Sequence, residues 1–87
     1  MKAYKMGPYV VCAEVLDDAQ KFFCHEIGDP LPQHIEEMEW DCEVCCESGE
    51  TSTIRDLINK VLDERNAWLR MGIPCDLYWP FIVTRIA

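Results

Sequence analysis

Apolar and polar positions follow two periods along this chain, and the switches between them outline its elements. From Tyr4 to Glu14 the chain is rich in Tyr and Val, interrupted by Gly7-Pro8. That pattern predicts a strand at residues 9–13 preceded by a short extended arm that can pair with it as a hairpin. Asp17 then opens a helix, since Asp17-Asp18-Ala19-Gln20 matches a capping box in which Gln20 reaches back to the first amides. Ala19, Phe22, Phe23, Glu26 and Ile27 keep helical spacing, which sets both phenylalanines and Ile27 toward a core. Gly28 is the expected stop, and Pro30 and Pro32 forbid continuation.

The period changes to two over residues 37–47. Met38, Trp40, Cys42, Val44 and Cys46 fall on one face, and Glu37, Glu39, Asp41, Glu43, Cys45 and Glu47 on the other. A half-buried strand is expected there, ending in a turn at Ser48-Gly49-Glu50. A second helix starts near residues 51–53, with Thr53 and Asp56 as one cap pairing. Ile54, Leu57, Ile58, Val61, Leu62, Trp68 and Leu69 form its apolar stripe, and Gly72 and Pro74 end it. Residues 77–86 read as a final strand with Pro80 near its start, where a missing amide matters least. The expected architecture is a single α+β domain over residues 1–87. It is a small two-layer sandwich, a mostly antiparallel sheet of three to four strands with two helices on one face.

Composition narrows the function classes. At 87 residues and 49% hydrophobic, the chain buries roughly 60 to 65% of its unfolded surface, enough for one core but not for a deep enclosed active site. No apolar run approaches the length of a membrane span, and no secretory signal is visible behind Met1, so a cytoplasmic location is expected. The net charge of −8 is concentrated: residues 22–54 hold nine acids and no Lys or Arg. A free-standing nucleic-acid binder needs the opposite sign, so direct DNA or RNA binding is not expected.

Candidate chemistry is sparse. Cys42-x-x-Cys45-Cys46, with Cys24-His25, His34 and Cys75, is the only set suited to zinc. On a strand, however, Cys42 and Cys45 point to opposite faces, and the nearest glycine that could make a knuckle turn is Gly49. No metal or other cofactor is therefore expected, and the thiols read as reduced. A cysteine nucleophile needs neighbouring positive charge to lower its pKa, and this segment supplies only negative charge. Carboxylates alternating along one strand face lie about 6 to 7 Å apart, but no cleft accompanies them, and neither an EF-hand loop nor a nucleotide-binding glycine motif occurs. With no base, nucleophile and orienting group at recognisable spacing, an enzyme is not expected. Tyr78-Trp79-Pro80-Phe81 crowds three aromatics into four positions, and alternation cannot bury them all, which favours a contact patch, the alternative being simple packing over the sheet end.

In size, acidity and layout the chain resembles small phage-encoded anti-defence proteins, anti-CRISPR inhibitors in particular. The run Val10-Val11-Cys12-Ala13-Glu14 through Ala19, Phe23 and Gly28 is similar to a strand–helix opening common in small phage proteins. Such inhibitors share no general signature, so no functional residue is carried over from them. The resemblance implies a CRISPR effector complex in the host cell as target, with guide or target nucleic-acid binding blocked. From charge alone, the expected partner is a protein with a basic groove. The contact residues would be Glu36, Glu37, Glu39, Asp41, Glu43 and Glu47, with Tyr78 and Trp79, in a nucleic-acid mimic that is monomeric or homodimeric. The alternatives are a self-associating module that uses the aromatic end or an unpaired sheet edge, and a zinc-stabilised adaptor.

Overall fold

The computed structural model describes residues 1–77 and 79–86. Lys2–Met6 (β1) and Tyr9–Ala13 (β2) form an antiparallel hairpin in which Met6 faces Tyr9. Gly7 takes φ +61 at the first turn position, as a II′ hairpin turn requires, and Pro8 fills the next position without needing an amide. Ile35–Met38 (β3) pairs with β1 and Phe81–Arg85 (β6) with β2, both antiparallel, giving a sheet of order β3-β1-β2-β6. A second, two-stranded sheet joins Glu43–Cys45 (β4) to Thr51–Thr53 (β5) through the turn at Gly49. The helices are Leu16–Phe22 (α1), continued by a π turn at Phe23–Ile27, and Ile54–Arg70 (α2).

This is the small α+β fold that the pattern calls for, but the layering differs. The two helices cover opposite faces of the sheet rather than one. Ala3, Val10 and Cys12 pack with Phe81, Val83 and the α2 residues Ile54 and Ile58. Tyr4, Met6, Val11 and Ala13 pack with Ala19 of α1 and Phe23 of the π turn. The reason lies in Tyr9-Val10-Val11-Cys12-Ala13, a run with no polar position, so successive side chains must both find cover.

Three local expectations change as well. α1 begins at Leu16, so Asp17 sits inside the first turn instead of capping it, and the N-cap residue Val15 makes no side-chain hydrogen bond. Asp17 pairs with Lys21 at 3.0 Å instead, while its charge still suits the positive end of the helix. Gly28 does close the helical segment, at φ +80 and with its N–H donating to the Phe23 carbonyl at 3.2 Å.

The expected strand over 37–47 is broken. After Met38 the chain turns, with Cys42 N–H donating to Glu39 at 3.1 Å, and resumes as β4 in the other sheet. The break has a physical cause: the turn carbonyls of Trp40 and Cys42 accept the Arg55 and Ile54 amides at 2.8 and 3.0 Å. Helix amides at this end have no intrahelical partner, and the turn supplies one. Thr53 caps the same end, its Oγ1 accepting from Asp56 N–H at 3.2 Å as expected. Thr51–Thr53 is thus a strand leading into the helix.

The final strand is shorter than 77–86. Arg65 holds the chain before it out of the sheet by donating to the carbonyls of Asp76, Leu77 and Trp79 at 3.0, 3.1 and 2.7 Å. No helix among the described residues is long and apolar enough to cross a membrane.

Candidate functional site

The acidic segment forms an arch. It starts on the outer strand β3 and passes over the α2 face, where Val44 and Cys46 are buried in the core. It reaches the opposite edge where Cys46 bridges to Ile86 and Glu47 N–H donates to the Arg85 carbonyl at 2.9 Å. Period-two burial survives the break in the strand: Met38, Trp40 and Cys42 pack against the core, and every acid between residues 22 and 54 is exposed. The helices therefore leave Glu37, Glu39, Asp41 and Glu43 uncovered.

An evenly spaced row of carboxylates is not formed, however. Glu36 and Glu37 lie on β3, Glu39 and Asp41 on the turn, Glu43 on β4 and Glu47 beyond it. A single strand would have kept them in register, and docking of the turn onto α2 divides them between two sheets. Three are also partly neutralised. Glu37 pairs with Lys2 at 3.2 Å, Asp41 with Arg55 at 3.1 Å and Glu47 with Arg85 at 3.7 Å. Glu37 raises the Lys2 ammonium pKa, first through their hydrogen bond and then through its charge. These pairs are open to water and contribute little to stability. Among the described residues, Glu36, Glu39 and Glu43 have no ion pair. Arg55 also stacks over Trp40 at 5.5 Å, so its charge is spent inside the arch.

Of the aromatic cluster, Tyr78 lies outside the described residues. Phe81 is buried under the Arg65 guanidinium, 4.8 Å from the ring centre, and Trp79 is 58% exposed. Arg65 donates to the Trp79 carbonyl at 2.7 Å, which anchors the backbone that carries the indole. It forms one wall of a groove of about 460 Å³ against α1 and the π turn, with Glu14, Asp18 and Glu26 on the lining. Trp79 lies apart from these acids: its loop leads into the Phe81 end of β6, whereas Glu36 and Glu37 sit on the other outer strand and Glu47 meets β6 at Arg85. Sequence reasoning overlooked Arg65, Glu14 and Asp18. Arg65 works on backbone carbonyls, for which no spacing rule exists, and the two acids lie outside the acidic run.

The thiols are all free, with Cys12 and Cys46 buried and Cys24 and Cys45 exposed. Cys42 packs toward the core from the turn before β4, while Cys45 on β4 is exposed. No three His, Cys, Asp or Glu side chains converge as metal ligands among the described residues. Burial pushes the Cys12 thiol pKa up to about 11. That keeps it protonated at neutral pH and unreactive as a nucleophile. Comparison with models of known families, with curated proteins and with solved structures finds no match for this chain.

Proposed function

We propose that this protein is a small acidic inhibitor that docks onto a basic, nucleic-acid-handling protein complex, an effector of the CRISPR type being the expected target. One observation carries the reading. All nine acids of residues 22–54 are exposed, no Lys or Arg lies among them, and among the described residues the Lys and Arg pairings from elsewhere reach only Glu37, Asp41 and Glu47. Such a field accelerates encounter with a basic groove and repels nucleic acid and acidic proteins. The broken row of carboxylates favours competition for a basic surface over close imitation of a phosphate backbone.

The test is target-DNA binding by a purified CRISPR effector complex, measured with and without the protein at rising salt. Inhibition is expected at low salt and should weaken as salt screens the charges. Reversing Glu36, Glu39 and Glu43 to Lys together should relieve inhibition by about tenfold or more. Inhibition unaffected by both salt and charge reversal would overturn the reading.

A second reading, self-association, is favoured by the exposed Trp68, Leu69, Met71 and Ile73 around the C-terminal end of α2. It predicts a dimer mass in sedimentation that high salt does not reduce.

A further inference from the structure

The groove beside Trp79 has the chemistry of a guanidinium receptor, and we propose that it takes one arginine side chain from the surface of the partner protein. This deepens the reading of a basic partner and rests on it for the identity of the occupant. Three features carry it.

Trp79, 58% exposed, lines the groove together with Phe22 of α1. A planar cation stacks on such a face better than a compact ammonium does. Glu14, Asp18 and Glu26 line the same space, and none of them has an ion pair among the described residues. Their charges complement the cation that the indole would stack on.

The positive groups in the groove are fewer. Among the described residues the lining holds one Lys or Arg, Lys21, and Asp17 already engages it at 3.0 Å.

The walls are also fixed in advance. Arg65 ties down the Trp79 loop through three carbonyls, and the opposite wall is the π turn that carries His25 and Glu26, closed by Gly28. Loops held in a binding geometry lose less entropy when a ligand arrives. π turns within helices are frequent at functional sites. The volume of about 460 Å³ exceeds one side chain, so the flanking backbone of the partner can settle at the mouth.

The experiment is an NMR titration of the isolated, ¹⁵N-labelled protein with the capped peptide Gly-Gly-Arg-Gly-Gly. The Trp79 indole N–H is the reporter, with Trp40 and Trp68 as internal controls. A saturating shift confined to Trp79 is expected, together with a much weaker response to the same peptide carrying neutral citrulline. The exposed double variant Asp18→Asn/Glu26→Gln should weaken binding about fivefold or more. Equal response to arginine and citrulline, no saturation at Trp79, or full affinity in the double variant would overturn the proposal. Tighter binding of free arginine than of the capped peptide would also overturn it, by making the occupant a small molecule. Because no partner is present, these outcomes are independent of the inhibition assay. Charge reversal at Glu36, Glu39 and Glu43 should leave the Trp79 titration unchanged.

Discussion

Against one face of the sheet lies α2, seventeen residues long and capped by Thr53; against the other lies α1, seven residues long, followed by a π turn and with no side-chain cap at Val15. The α2 face gathers Val44, Cys46, Ile54 and Ile58 onto the sheet, so helix, hairpin and sheet share one cluster. Among the described residues, the α1 face contributes only Ala19 and Phe23 as buried side chains from its own layer. Local stability follows buried apolar contact, and sites that must accept a ligand tend to lie where it is lower. The groove at Trp79 is on the lighter side, and the well-packed side carries the arch. One face sustains the fold, and the other is free to form a receptor.

The largest effect that would test this contrast comes from the core. Ile58→Ala should cost about 3 kcal/mol in urea unfolding, because it empties a fully buried site. Ala19→Gly on the other face should cost about 1 kcal/mol, mostly through backbone entropy. If the two losses were equal, the asymmetry would be wrong.

Alkaline pH gives the next effect. Burial raises the Cys12 thiol from 9.0 to about 11 and also raises the Tyr4 phenol, so the folded protein keeps protons that the unfolded chain releases. Stability is then complete below about pH 9 and falls as pH climbs toward 11, with Cys12 contributing on the order of 2 kcal/mol. The ammonium groups of Lys2 and Lys21, raised by Glu37 and Asp17, act in the same direction. Denaturation followed from pH 8 to 11 should show this slope, and Cys12→Ala should flatten it more than Tyr4→Phe does.

The helix starts allow a reciprocal test. Thr53→Ala should lower stability by about 1 kcal/mol through loss of the Asp56 amide bond, whereas Val15→Ser should raise it by about 0.5 kcal/mol by adding a cap. Thermal midpoints that move the same way for both would contradict the described caps. Labelling of the native thiols should not perturb the fold at all. Cys24 and Cys45 should react within minutes at neutral pH, while Cys12 and Cys46 wait for unfolding. Early labelling at Cys46 would mean that the β4–β5 hairpin lifts from the α2 face.

Much of this was legible in the sequence where one residue type admits one geometry. Gly28 and Gly72 ended their helical segments, Thr53 capped α2, and the alternation of Met38, Trp40, Cys42, Val44 and Cys46 gave the buried side correctly. The break between β3 and β4 was not legible, because period two describes which side faces the core and says nothing about which strand is the neighbour. The helix layering could have been read from the unbroken apolar run of β2, which signals cover on both sides. The exposed acids were foreseen, but their separation between two sheets and the groove at Trp79 depend on Arg55 and Arg65 holding distant backbone and side chains, a tertiary effect without local trace.

The pairing of β2 with β6 sets the order in which the molecule can be completed. Val10, Val11 and Cys12 are made well before their partners Thr84, Ile82 and Phe81, which follow every other element of the described fold. Between the synthesis of β2 and that of β6, the β1–β2 hairpin of a nascent chain carries one open strand edge. Closing so long a loop is slow. During that interval the open edge can pair with another nascent chain. Yield in the cell should then depend on how quickly translation passes from β2 to β6 as well as on the stability of the folded protein.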